Sequence, residues 1–261
     1  MNVNIAQRSK QAALELQVAS SVDKSKALRA IHQQLVNDGD LILKMNEKDL
    51  ETASALASSG QLSQQLIKRL DLNPNKWQSL IDGVLQVDRL DDPVGKIQSA
   101  TLLDDGLKLV KVSCPIGVLL IIFEARPEVV VQISCLAIKS GNAVILKGGK
   151  EANQTNTALY ESIQKALKSL PQSYRIPCDS VQLVSTREEI AQLLKLDKYI
   201  DLVIPRGSKS LVQYVQESTR IPVLGHADGL CSIYLDESAD TEKAIKLVVD
   251  SKVNIFVLII D

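Results

Sequence analysis

Val118-Leu119-Leu120-Ile121-Ile122-Phe123 runs straight into Glu124-Ala125-Arg126-Pro127-Glu128. An unbroken apolar hexapeptide without polar alternation reads as a strand buried on both faces. Charges and a proline end it at once. Residues 129–140 return to helical spacing, and Gly141-Asn142 stops them. Residues 143–146 read as a second short buried strand, Gly148-Gly149 as a turn and 152–167 as a long helix. A strand at 181–184, a helix at 187–194, a strand at 200–204 and a helix ending near Gln216 come next. Val223 opens a further segment, and 232–235 reads as one more strand. Short buried strands alternating with helices imply βαβ units around a parallel sheet, hence an α/β fold.

Upstream the pattern changes. Apolar residues recur at helical intervals over 6–18, 23–35, 40–57, 62–70 and 77–87, with Gly39 and Gly60 as breaks. Asp23 is the expected cap of the second helix, with Ala27, Leu28, Ile31 and Leu35 on its inner side. In the third, Asn46, Lys48 and Asp49 are assigned to the wet face. Asp91-Asp92-Pro93-Val94-Gly95 is a turn cluster, and 107–112 alternates like an exposed strand. Roughly the first ninety residues therefore form a helical layer. No internal repeat or low-complexity linker is visible.

Composition narrows the function classes. The 261 residues are 45% hydrophobic and 23% charged, with a net charge of -1. Such a balance gives no global field for nucleic acid or anionic membrane, so an anionic ligand needs a local cluster. With 3% aromatic residues there is no platform for stacking bases. No apolar stretch is long enough to span a bilayer, and residues 1–10 lack the apolar core of a signal peptide. Cys114, Cys135, Cys178 and Cys231 are widely spaced, without paired histidines. No metal site is expected; the cysteines read as small buried hydrophobes, reduced in a cytoplasmic protein.

Parallel sheets bind ligands beyond the carboxyl ends of their strands. The candidate loops are therefore those after Phe123, Leu146, Ile204 and Leu224. In the first, Glu124 and Arg126 flank Ala125; Arg126 can grip a phosphate or carboxylate, or close the loop by pairing with Glu124 or Glu128. In the second, Lys147-Gly148-Gly149-Lys150-Glu151 lets backbone approach a ligand, with the start of the next helix facing the same place. The alternative is a solvated turn. In the third, Arg206-Gly207-Ser208 precedes a helix, and Ser208 can cap that helix, with or without donating to a phosphate. In the fourth, Gly225-His226-Ala227-Asp228-Gly229 contains one of two histidines; it reads as a site or as a turn in which Asp228 satisfies His226. Four such loops at successive strand ends predict a crevice for a nucleotide and an anionic substrate.

These segments, together with Pro115-Ile116-Gly117-Val118 and residues 200–208 and 221–229, resemble the γ-glutamyl phosphate reductases of the aldehyde dehydrogenase superfamily. The resemblance extends to about Lys252. It implies an aldehyde dehydrogenase-like fold, with a helical N-terminal layer and a Rossmann-like sheet. Residues 1–224 would be the cofactor-binding domain and 225–261 the truncated start of a catalytic domain, with an atypical tail at 255–261.

The implied reaction is reduction of L-glutamyl 5-phosphate by NADPH to glutamate 5-semialdehyde and phosphate, in proline biosynthesis. A cysteine thiolate forms a thioester, phosphate leaves, and hydride is then delivered. Coupling to glutamate 5-kinase is the implied partnership. By the same resemblance Lys147 holds the cofactor's adenosine ribose, with Gly148 and Gly149 beside it. Gly207 and Ser208 contact the pyrophosphate. Glu124, Arg126, His226 and Asp228 are assigned to substrate, Arg126 falling where general aldehyde dehydrogenases keep an oxyanion-binding asparagine. Gly225 lies near the glutamate base of hydrolytic relatives, and its lack of a carboxylate suits a reductase.

The likeness breaks after Asp250-Ser251-Lys252. Where the family has Tyr-Pro-Ala and then its cysteine, this chain has Ile255-Phe256-Val257-Leu258-Ile259-Ile260. Counting forward puts Ile259 at the nucleophile's position. The expectation is a chain without catalytic cysteine or oligomerisation segment, inactive alone: a nucleotide-binding fragment or a misfolded truncated product.

Overall fold

The computed structural model describes residues 2–60, 62–225 and 232–253. His226, Asp228, Cys231 and Ile259 lie outside the described residues. The chain divides into two compact units, Met1–Ala227 and Asp228–Asp261.

The centre of the first unit is β3 (Val118–Phe123), buried along its whole length. It pairs in parallel with β4 (Ala143–Lys147) on one side and β6 (Leu202–Arg206) on the other. β5 (Val181–Val184) joins β4, giving the order β5-β4-β3-β6. Beyond β6, Val203 bridges to Val223. Alternation along β3 separates two cores. Leu119, Ile121 and Phe123 enter one, packed by α2 (Ser21–Asn37), α5 (Pro74–Arg89), α6 (Glu128–Lys139) and α7 (Asn153–Lys168). Val118, Leu120 and Ile122 enter the other, with Ala6 and Ala13 of α1 (Asn2–Leu16), Ile190 and Leu193 of α8 (Arg187–Leu193), and Val215 of α9 (Lys209–Ser218). Both faces are covered, which is why the strands carry no polar alternation.

The entry to β3 is pinned by one carboxylate. Asp201 accepts from the Val118 backbone N–H at 2.8 Å and from Lys10 Nζ at 2.8 Å on both oxygens. Its side chain packs where a Cβ at residue 117 would sit, and Gly117 has φ +127°, so only glycine fits.

Several elements depart from the sequence expectation. Ser20, not Asp23, caps α2, accepting from Asp23 N–H at 3.1 Å. α3 (Gly39–Ser58) turns Asn46 and Asp49 inward, leaving them 3% and 5% exposed. Their polar groups tie helices together: Asn46 donates to Leu70 O and accepts from Leu72 N–H, at the end of α4 (Gln64–Leu70). Asp49 accepts from Gln154 and Thr155 N–H at the start of α7. Strand 200–204 is shifted to 202–206, because Asp201 is used at the strand's entrance rather than in its ladder.

The exposed strand at 107–112 is present as β2 (Leu107–Val112), paired antiparallel with β1 (Ile97–Asp104) in a separate ribbon turned at Gly106 (φ +77°). Within the second unit, the described residues hold α10 (Thr241–Val253). Residues 232–235 form no strand, having no strand partner among the described residues. No described helix is long and apolar enough to cross a membrane.

Candidate functional site

A cleft of about 350 Å³ opens at the carboxyl end of the sheet. Ile122, Phe123 and Glu124 come from the end of β3 and Lys147 from the end of β4. Arg187 and Ile190 come from α8, and Ser208, Ser210, Leu211 and Tyr214 from the start of α9. The strand order explains the place. Chain connections leave β3 toward β4 on one side and reach β6 on the other, so nothing crosses between the ends of β3 and β6 and a crevice results.

Each wall has a local cause. Ser208 is extended (φ -62°, ψ 153°) and caps α9, its Oγ accepting from Leu211 N–H at 3.3 Å and lying 3.0 Å from Ser210 Oγ. Gly207 lets Glu124 close against that turn: a Cβ at residue 207 would sit 2.8 Å from the Glu124 carboxyl and 2.9 Å from Leu211 Cδ2. Gly148 and Gly149 are buried and are not among the walls of the cleft; a Cβ there would meet Asn156 and Glu151 respectively. Ala125 takes a left-handed φ of 47°, unusual for a residue with a Cβ, and turns the chain after Glu124.

The packing sets the electrostatics. Burial pushes the Lys147 ammonium below its ordinary pKa; the nearby cations Arg187 and Lys150 add to that effect, and Glu151 and Glu124 oppose it. Burial raises the Glu128 carboxyl, against the fields of Lys76 and Arg126. Its Oε2 is buried without a hydrogen-bond partner.

Lys147, Ser208 and Glu124 thus share one cleft, with Gly207 packed against Glu124 beside it, while Gly148 and Gly149 are not among its walls. Arg126 is not among its walls. It lies beyond the Ala125 turn, in the electrostatic neighbourhood of Glu128 and Lys76, and makes no ion pair with described residues. The loop-closing pair with Glu124 or Glu128 is therefore not formed. His226 and Asp228 lie outside the described residues. Gly225 lies against Val212 of α9.

The expected anion-receptive helix start after Gly149 is corrected. A 3-10 turn, Lys150–Ala152, intervenes, and the N–H groups opening α7 are taken by Asp49. An internal carboxylate already occupies that helix end. The cysteine expectation is corrected in part: Cys135 is buried, its thiol pushed up to about 12 by burial, but Cys114 is exposed. Among the described residues no three His, Cys, Asp or Glu side chains gather as a metal-binding group.

Arg187, Ser210 and Tyr214 were not anticipated. The signal was present: Val184 also ends a strand, and Ser185-Thr186-Arg187 comes directly after it, as Glu124 comes after Phe123.

The aldehyde dehydrogenase family profile matches residues 3–255. The chain belongs to the aldehyde dehydrogenase family. That family consists of oxidoreductases that work with nicotinamide cofactors. Within the aldehyde dehydrogenase family, this chain is 48% identical over 250 residues to the gamma-glutamyl phosphate reductase of Brachyspira hyodysenteriae, spanning 96% of this chain and 57% of that protein. The crystal structure of the Thermotoga maritima gamma-glutamyl phosphate reductase superposes with a TM-score of 0.88 at 34% identity, over 97% of this chain and 60% of that one. The Saccharomyces cerevisiae enzyme superposes with a TM-score of 0.80 at 44% identity, over 97% and 63%. This chain spans a little over half the length of the curated relatives it matches.

Proposed function

We propose that this chain carries the nicotinamide-nucleotide site of a γ-glutamyl phosphate reductase, for which NADPH reduces L-glutamyl 5-phosphate to glutamate 5-semialdehyde and phosphate. The observation that carries the reading is the cleft at the ends of β3, β4 and β6, where Lys147, Glu124 and Ser208 converge beside Gly207. Its size lies in the range of small-molecule sites, about 300–1,000 Å³. The residues suit a dinucleotide. Lys147 is a desolvated cation for ribose oxygens or phosphate, and the first turn of α9 is receptive to a pyrophosphate. Glycine at 207 keeps the approach to that turn free of a side chain.

The nucleotide, when bound, supplies the hydride. The chain's own residues bind and orient it: Lys147 from the strand end, Ser208 and Ser210 from the helix start, with Phe123 as a buried apolar wall and the half-exposed Tyr214 ring beside it. Glu124 is placed to accept a hydroxyl proton rather than to meet a phosphate. We assign Arg126, with His226 and Asp228, to the substrate acyl phosphate, and the partnership to glutamate 5-kinase, on the family likeness. The cytoplasm is the proposed compartment.

A second reading follows from the sequence likeness. By the family likeness, counting forward from Lys252 puts Ile259 at the nucleophile's position, and an alkyl side chain cannot form a thioester. On that reading the chain binds nucleotide without turning over substrate. The common test is thermal unfolding of the purified chain with and without NADPH. A rise in Tm with nucleotide is expected; an unchanged Tm at millimolar NADPH removes the nucleotide site and both readings.

A further inference from the structure

Resting on the reductase reading, we propose that Glu128 and Lys76 hold the two charges at the α-amino-acid end of the substrate, Glu128 its ammonium and Lys76 its carboxylate. α5 and α6 run side by side with their N-terminal ends together. Lys76 of α5 stands in the electrostatic neighbourhood of Glu128 of α6 at one end, and Lys139 Nζ donates to Asp88 O at 2.8 Å at the other. Between these ends lies a groove of about 320 Å³, walled by Leu80 and Val84 of α5 and by Val131, Gln132 and Cys135 of α6. Glu128 shares the helical spacing of Val131, Gln132 and Cys135, and Lys76 that of Leu80 and Val84. Both charges are therefore on the helix faces that wall the groove, one turn beyond it. That end of the groove is also the carboxyl end of the sheet, because α6 starts at the close of the loop that leaves β3.

The Glu128 carboxylate has no internal partner. Its Oε2 is buried without a hydrogen bond, and it makes no ion pair with a described residue. Burial works against its charge, and the fields of Lys76 and Arg126 only oppose that effect from a distance. Lys76 Nζ donates to Lys68 O at 2.7 Å, which fixes its position and leaves ammonium protons for a ligand. A buried acceptor without a donor is matched by a cation that brings its own protons. A bare metal ion would meet one carboxylate and two neighbouring cations here. An ammonium with a carboxylate on the same carbon adds no net charge and presents each group to its opposite. An α-amino acid has that form. The apolar walls of the groove suit its methylene chain, and Arg126, just ahead of the same helix, remains for the acyl phosphate.

The experiment is calorimetric titration of the full chain, without nucleotide, with two stable probes. One is the phosphonate analogue of L-glutamyl 5-phosphate, with a methylene in place of the bridging oxygen; the other is its deamino counterpart. Wild type should favour the amino probe. Glu128→Gln should lose about ten- to a hundredfold in affinity for the amino probe while the deamino probe stays within about twofold. Glu128→Asp should recover part of the loss, and Lys76→Gln should weaken both probes alike. Without ligand, Glu128→Gln should not lower Tm, since the charge it removes is buried and unpartnered. Wild type that binds both probes equally, or equal weakening toward both in Glu128→Gln, overturns the proposal and leaves the reductase reading standing. Unchanged binding in Lys76→Gln overturns the carboxylate half. Wild type that binds neither probe removes substrate from this chain and the proposal with it, while the nucleotide site stands or falls on its own thermal test.

Discussion

Asp49 Oδ2 accepts from both the backbone N–H and the hydroxyl of Thr155, at 2.8 and 2.7 Å, across more than a hundred residues of sequence. One side chain thereby caps α7 from another helix. Asp49→Ala strands the Thr155 N–H and hydroxyl in the interior, because alanine offers no acceptor. The expected loss is about 2–4 kcal/mol, from buried charge-assisted hydrogen bonds left unmade. Urea unfolding of the variant measures it; a loss under about 0.5 kcal/mol, the scale of an ordinary surface change, contradicts the capping role.

Lys147 trades stability for binding. Its folded pKa lies below the ordinary 10.5 because of burial. The unfolded chain holds that proton up to the ordinary value, so the unfolded state binds more protons in the window just below 10.5 and stability rises with pH there. At neutral pH the whole penalty is present. Lys147→Met keeps the apolar stem and removes the charge. It should raise Tm without nucleotide and shrink the Tm rise caused by NADPH. Differential scanning fluorimetry at pH 7 reads both; a full-sized NADPH shift in the variant takes Lys147 out of the site.

Gly207→Ala tests the packing beside the cleft. The added methyl falls 2.8 Å from the Glu124 carboxyl and 2.9 Å from Leu211 Cδ2, with no positive-φ penalty at that residue. Glu124 must swing away, and the cleft changes shape. NADPH affinity should fall about tenfold, with unfolding free energy changed by less than about 1.5 kcal/mol. Unchanged affinity means that the Glu124–Gly207 contact does not shape the nucleotide's seat.

Catalysis is a separate matter from binding. On the proposed likeness that puts Ile259 at the nucleophile's position, the purified chain should show no NADPH-dependent reduction of glutamyl phosphate. It should likewise show no oxidation of the semialdehyde with NADP and phosphate. Turnover in either direction that a thiol reagent abolishes would assign the chemistry to one of the cysteines present.

Those features written in short-range pattern were legible. The apolar runs at 118–123 and 143–146 announce buried strands because burial on both faces suppresses alternation, and Val181-Gln182-Leu183-Val184 reads as a strand by its β-branched ends. Glu124, Lys147 and Ser208 were legible because each lies within a few residues of the end of an apolar run, beside other charges or glycines. Arg187 was less so: neutral Ser185 and Thr186 separate it from Val184, and no glycine marks the loop. Asn46 and Asp49 were turned the wrong way for a different reason. Their partners, Leu70, Leu72 and Thr155, lie far along the chain, and polarity alone cannot separate a solvated residue from one that braces a neighbouring helix. The second strand of the exposed ribbon also escaped notice, since Ile97–Asp104 carries no clean two-residue period.

The central strand has a price during synthesis. Leu119 pairs with Leu202, so the β6 edge of β3 stays open until the ribosome has made most of this chain. A fully apolar strand waiting for a distant partner is a template for intermolecular pairing, and parallel closure over such a separation is slow. The aggregation hazard of the nascent chain is therefore concentrated at residues 118–123, the same stretch that makes the sheet readable.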